Sequence, residues 1–309
     1  MGQKDLAQND YLNDRYRFAD MCNGILFGGD IIVRPEELLE CGEDIVYHEG
    51  NGRRKIIPDK VRLWNGLYLA VVSVENQTMV DYSMVFRMMK EEAISYERQW
   101  NERERELRAK GLLGKRTRLC WKGKGEIFIP VVPIVIYYGT DKLWDGATCL
   151  YDMIDMNEAL APYITNYRLN LFDYHNCNDL SIFKTENREL FEVLSCAKSE
   201  EAMDELVHQN EERYEELAYD AARTICDIAG IDLALVKKVK EDGSEVACMC
   251  KAWDDHRKSG IMEGRKEGVL ETRVESIRSL MKNLSITMEE AMDVLEIPKS
   301  DRERCIKLV

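Results

Sequence analysis

The run Leu67-Tyr68-Leu69-Ala70-Val71-Val72-Ser73-Val74 constrains the fold more than any other part of the chain. A stretch this apolar reads as a buried strand, and it ends on a carboxylate, Glu75. An acid delivered there must be paired, protonated or bound to a cation, because an isolated buried charge is expensive. The strand has a partner close by in sequence. Asn65-Gly66 separates it from the apolar run that ends at Trp64, and Asn-Gly between such runs is a strong hairpin signal. The hairpin carries a second acid, Asp59, which follows Ile56-Ile57-Pro58. With the turn at 65–66, residues whose numbers sum to about 131 face each other. Asp59 then lies opposite residue 72, three positions short of Glu75, a gap of roughly 10 Å at ~3.3 Å per residue. A bulge or a splay of the strand ends has to close that gap before one ion can bridge both acids.

The flanking segments predict a mixed α/β core followed by a helical half. An apolar face of Leu12, Phe18, Met21, Cys22 and Ile25 predicts a helix over 11–28, ended by Gly28-Gly29. Strands are expected over 44–49, 54–64 and 67–75, and a long helix over 82–108. The continuous apolar run 127–138 reads as a buried strand. A helix over 150–160 and a strand over 167–174 follow, and 180–239 reads as helical throughout. Gly260, Gly264 and Gly268 recur every four residues in a polar segment, which predicts a frayed, hinge-like helix. Short amphipathic helices are expected over 274–284 and 288–295, with Thr287 and Glu290 as a capping box and Pro298 as the stop. The division expected from this pattern is 1–178 for the core, 179–258 for a helical region and 259–309 for a helical appendage.

The net charge of −14 argues against binding nucleic acid through the whole surface. Against that background one basic run stands out: Arg108, Lys110, Lys115, Arg116, Arg118, Lys122 and Lys124, with no acid among them. It is the natural place for phosphate contacts on an acidic protein, and equally an ordinary solvated loop. Ten scattered cysteines read as reduced thiols of a cytoplasmic protein rather than a disulfide framework. No window has the roughly 18 uninterrupted apolar residues of a membrane span, and the start, Met1-Gly2-Gln3-Lys4-Asp5, lacks the apolar core of a signal peptide. The four histidines, His48, His175, His208 and His256, lie far apart and read as lone groups.

Asp59, a hairpin, an apolar strand and then Glu75-Asn76-Gln77 together resemble the active-site signature of the PD-(D/E)XK nuclease superfamily. More narrowly they resemble the recombination-promoting nuclease/putative transposase family, whose third motif commonly reads Glu-x-Gln. Phe18-Ala19-Asp20, Tyr82-Ser83-Met84 with Arg87, Pro133 to Gly139, Trp144-Asp145-Gly146 and Tyr167 to Leu171 agree in order. The resemblance implies a restriction-endonuclease-like core, a mixed sheet flanked by helices, and a Mg²⁺-dependent DNA endonuclease in which Mn²⁺ can substitute. It implies Asp59 and Glu75 as metal ligands with the backbone carbonyl of Asn76, Gln77 as a catalytic hydrogen-bonding group, and Asp20 as an additional acid. Arg87, Lys115, Arg116, Arg118, Lys122 and Lys124 are the expected DNA contacts. Pro58 stands where the family often has Arg, which removes a cation beside Asp59. The competing readings make Asp59 a strand-end acid, Asp20 a helix-surface acid, and the protein a catalytically inactive DNA-binding or protein-interaction module. Homo-oligomerisation through the C-terminal helices is a further expectation.

Overall fold

The computed structural model describes residues 11–40, 60–74, 80–114, 117–119, 124–229, 231–232, 236, 238–241 and 244–308. It is a mixed α/β protein that divides into two compact units, Met1–Cys248 and Met249–Val309.

The first unit is built on a five-stranded sheet of order β1-β2-β3-β4-β5. Its strands are β1 (Leu38–Glu40), β2 (Lys60–Trp64), β3 (Leu67–Val74), β4 (Val131–Tyr137) and β5 (Asn170–Asp173). β1, β2 and β3 run antiparallel, while β4 and β5 continue parallel to β3. The hairpin forms as the sequence predicts. Asn65 and Gly66 both hold positive φ, 45° and 74°, which matches the twist of the flanking strands. The register pairs Lys60 with Val71 and Trp64 with Leu67, the spacing expected from the Asn-Gly turn. A parallel neighbour needs a long crossover, and α2 (Met84–Ala109) carries the chain from β3 to β4.

Helices cover both faces of the sheet, which explains why β4 is a continuous apolar run, buried from Pro133 to Tyr137. One face packs under α1 (Arg15–Phe27) and α3 (Asn187–Cys196). There Phe172 of β5 meets Phe191 and Phe183 with ring centroids 4.8 and 5.3 Å apart. Phe183 seats against Gly24, where an added Cβ would come within 2.2 Å of its ring. The opposite face packs under α2, with Met84 and Met88 on Val135, and Trp144, Tyr167, Leu169 and Leu171 at its margin.

α1 starts at Asp14, whose side chain accepts from the amides of Tyr16 and Arg17, so the expected helix begins four residues late. The expected helix over 150–160 is instead two 3-10 turns, Leu150–Met153 and Glu158–Tyr163, with Pro162 inside the second. The segment expected to be uniformly helical contains α3, α4 (Glu200–Gln209), α5 (Glu211–Glu215) and α6 (Tyr219–Ala229). It also contains β6 (Leu217–Ala218), and with β7 (Lys238–Glu241) and β8 (Ser244–Ala247) this makes a second sheet of order β6-β8-β7. Two- to four-residue strands leave too little periodicity to be seen in sequence.

The second unit consists of α7 (Met249–Leu284), α8 (Met288–Val294) and α9 (Lys299–Leu308). The helix expected around Gly260, Gly264 and Gly268 forms, and α7 runs through all three glycines without a break. Ile277, Ala291, Met292, Ile297 and Cys305 form the core of the unit. The Thr287–Glu290 capping box forms in full. α8 stops at Val294, and Pro298 immediately precedes a further helix, α9, that the sequence does not announce. The eight described cysteines are all free thiols. Among the described residues no helix is long and apolar enough to cross a membrane.

Candidate functional site

The carboxyl ends of β3, β4 and β5 lie side by side. Val74 pairs with Tyr137, and Tyr137 pairs with Asp173. The chain leaves β3 at Val74 and enters α2 at Met84, so the Glu75-Asn76-Gln77 motif is sequence-adjacent to this edge.

The edge is polar and cross-linked. Asp173 is buried and uses both carboxylate oxygens. Oδ1 accepts from the His175 amide at 3.1 Å and lies 2.7 Å from His175 Nδ1. Oδ2 accepts from the Trp144 amide at 2.9 Å and from Asn176 Nδ2 at 3.2 Å. Tyr137 donates its hydroxyl to the carbonyl of Lys142, and Tyr174 donates to that of Gly139. The loop 138–146 is thus stitched to the strand ends at several points. Burial pushes the Tyr137 phenol up from its ordinary pKa, with the Asp173 carboxylate adding to the effect. The phenol therefore stays a donor.

A second cluster joins this loop to the start of α2. Tyr82 donates to Asp145 at 3.1 Å, and Lys142 Nζ donates to the same carboxylate at 2.8 Å. Lys142 also lies 5.9 Å from the centre of the Tyr82 ring. The hydrogen bond to Asp145 holds the Lys142 ammonium above its usual pKa. That of the Asp145 carboxyl is lowered, mainly by Lys142. One residue before Tyr82, Asp81 accepts from the Ser83 amide and hydroxyl and from Arg87 at 2.6 Å. Burial pushes the Asp81 pKa up, but the bonds from Ser83 and Arg87 outweigh it and the net shift is downward.

Of the residues expected from sequence, Asp59, Glu75, Asn76, Gln77, Lys115, Arg116 and Lys122 lie outside the described residues. Arg87 is half-buried and tied to Asp81. Arg118 and Lys124 are exposed. Arg108, from the same basic run, staples the end of α2 instead. It pairs with Glu104 and donates to the carbonyls of Gly114 and Thr117.

Asp20 is not a helix-surface acid. It is buried, and its carboxylate accepts from the amides of Lys184 and Thr185, the Thr185 hydroxyl and Asn187 Nδ2. These four bonds dock α1 onto the turn that begins α3. Nor is His175 a lone group, since it is paired with Asp173 at the sheet edge and stacks on Tyr174 with ring centroids 4.0 Å apart. The Asp173-x-His175 spacing just after an apolar strand was the signal that sequence reading passed over. Lys142 gave no signal beyond its place near Trp144-Asp145-Gly146.

A family model described as "Putative transposase, YhgA-like" matches residues 60–222, more than half of the 309-residue chain. No curated protein matches, and no solved structure matches.

Proposed function

The chain belongs to this YhgA-like transposase family, and on that premise we propose that it is a Mg²⁺-dependent DNA endonuclease of PD-(D/E)XK type with a role in mobile-element or recombination processes. The observation that carries the reading is the strand arrangement. A helix, an antiparallel three-stranded meander, a crossover helix and a parallel strand follow one another, and the acidic motif continues directly from the end of the central strand β3.

In this reading Asp59, Glu75 and the Asn76 carbonyl hold the ion. An all-oxygen donor set with two carboxylates suits Mg²⁺, which binds few protein ligands and retains waters and substrate phosphate; Mn²⁺ substitutes in the same set. When bound, the ion supplies Lewis-acid polarisation of the scissile phosphate. Gln77 orients the phosphate or the attacking water by hydrogen bonding, but as a neutral amide it brings no charge. Numbered from the Asn65-Gly66 turn, Asp59 falls three positions short of Glu75 in the sequence. In this reading a bulge or splay at the strand ends would let both acids hold one ion. The exposed Arg118 and Lys124, with Lys115, Arg116 and Lys122, supply phosphate contacts, and Arg87 adds one if it exchanges Asp81 for DNA.

The test is nicking of supercoiled plasmid by purified protein with Mg²⁺. Asp59→Ala and Glu75→Ala are each expected to slow cutting by at least about 100-fold, a loss of about 2.7 kcal/mol of transition-state stabilisation, and full activity in both variants sinks the assignment. The net charge of −14 and the absence of a cation before Asp59 favour a second reading, an inert DNA-binding or protein-interaction module. Mg²⁺ distinguishes the two, because a formed site raises the melting midpoint of the wild type by mass action and an inert module shows no shift.

A further inference from the structure

We infer that the groove between α7 and α9 of the second unit holds the phosphate backbone of duplex DNA, with Arg265, Lys266 and Arg304 as the contacts. The choice of a duplex as the occupant rests on the nuclease reading above. The argument begins with where the charge lies. Residues 249–309 contain twelve Lys and Arg against twelve Asp and Glu, so the whole of the −14 falls in residues 1–248. A polyanion repelled by the rest of the chain meets no net repulsion from this unit.

The groove has a volume of about 1100 Å³ and runs between the middle of α7 and the start of α9. Four cations line it, Arg265, Lys266, Arg273 and Arg304, against two acids, Glu267 and Asp301. Arg273 and Asp301 pair with each other across the two helices. That leaves three cations against one acid. Arg265, Lys266 and Arg304 are exposed, and among the described residues none of them is held by a carboxylate. In the first unit, by contrast, Arg17, Arg87, Arg103, Arg108 and Arg213 each grip one. A phosphate backbone that meets unpaired cations gathered in one groove sheds its own counterions, and that release drives binding.

The spread of the cations selects the kind of anion. At 3.6 residues per turn, Arg265, Lys266 and Arg273 fall on one side of α7. Arg265 and Arg273 are two turns apart, ~12 Å at ~1.5 Å per residue. A small anion needs donors that converge on one point. Phosphates that advance ~3.4 Å along each strand of a duplex suit donors strung out in a row, and ~12 Å covers three or four of them. Contacts made to phosphate rather than to base edges fix position without sequence preference.

The experiment measures binding of the full-length protein to a short fluorescent duplex across a salt series, with EDTA present so that cutting plays no part. Wild type, Arg265→Ala, the double variant Lys266→Ala/Arg304→Ala and Lys282→Ala are compared. Lys282 is an exposed cation of α7 outside the groove and serves as the control. Melting midpoint and sedimentation are measured in parallel. The double variant is expected to bind at least about 10-fold more weakly at low salt, with a log–log salt slope shallower by about 2. The loss is the same on duplexes of unrelated sequence, and the melting midpoint is unchanged because both side chains are exposed. Arg265→Ala is expected to flatten the slope by about 1, and Lys282→Ala to bind like wild type.

A double variant that binds like wild type overturns the inference, and so does an equal loss in Lys282→Ala, which makes the effect one of bulk charge. Intact duplex binding by a double variant that sediments as a smaller species assigns the groove to a second copy of this chain and overturns it too. Plasmid nicking with Mg²⁺ separates this inference from the reading it rests on. A wild type that binds duplex through the groove but never cuts leaves the groove assigned and removes the nuclease reading. A wild type that cuts, with groove variants that bind normally, removes the groove alone.

Discussion

The two faces of the five-stranded sheet are built for different purposes. Under α1 and α3 the sheet meets a packed aromatic cluster, Phe172, Phe183 and Phe191. Two charged groups buried beside it are matched. Arg17 is tied to Asp220 and Glu186, and Asp20 accepts four hydrogen bonds. Under α2 the core has a half-buried margin, with Trp144, Tyr167, Leu169 and Leu171 around Met84, Met88 and Val135. This side leads to the strand ends and the exposed cluster of Lys142, Asp145 and Tyr82. The difference teaches that buried charges here are held by several partners at once, whereas the charges at the strand ends are exposed and held weakly.

Substitutions can break or sharpen this contrast. Phe191→Ala is expected to lose the most stability, about 3–5 kcal/mol, because a large ring leaves a cavity that its aromatic neighbours fill only partly. Urea unfolding measures it, and a loss under about 1 kcal/mol means that this face is not the scaffold. Asp20→Ala comes next, at about 2–3 kcal/mol, since the Lys184 and Thr185 amides and the Asn187 side chain lose their acceptor. Its Mg²⁺-dependent melting shift is expected to match that of wild type; loss of that shift with stability intact would make Asp20 a metal ligand and not an anchor.

Acid titration probes the same network. The hydrogen bond from Arg17 holds Asp220 below the ordinary carboxylate pKa, outweighing burial. A carboxyl depressed in the folded state contributes stability that is complete above its unfolded pKa, near 4, and is lost as pH falls through the folded value. The melting midpoint should therefore fall below about pH 4, and Asp220→Asn should flatten that limb while lowering stability at neutral pH. The smallest stability effect belongs to the other side of the contrast. Lys142→Ala is expected to leave the melting midpoint unchanged, because the exposed Lys142–Asp145 pair is held weakly.

Much of the sheet was legible in sequence because its signals are local. Asn65-Gly66 specified the hairpin and its register, and the unbroken apolarity of 131–137 specified a strand covered on both faces. The long helix α2 and the Thr287–Glu290 capping box follow from contiguous residues in the same way. The small sheet of β6, β7 and β8 was not legible, because its strands are four residues or fewer and stabilise one another only across the fold. The candidate site divides along the same line. Its acids, Asp59 and Glu75, could be nominated from strand context alone.

What the sequence determined by itself is therefore the hairpin, the acidic motif at its end and the family the motif belongs to, since each rests on neighbours in the chain. Only the tertiary structure decided that Asp20 is a buried anchor 164 residues from its first hydrogen-bond partner. It alone placed His175 in a pair on the strand edge and brought Lys142 to Tyr82, 60 residues away. The physical reason is that a side chain's role is set by its burial and its partners. For these three groups the decisive partners come either from distant segments or from a strand end whose exposure depends on how the rest of the chain packs.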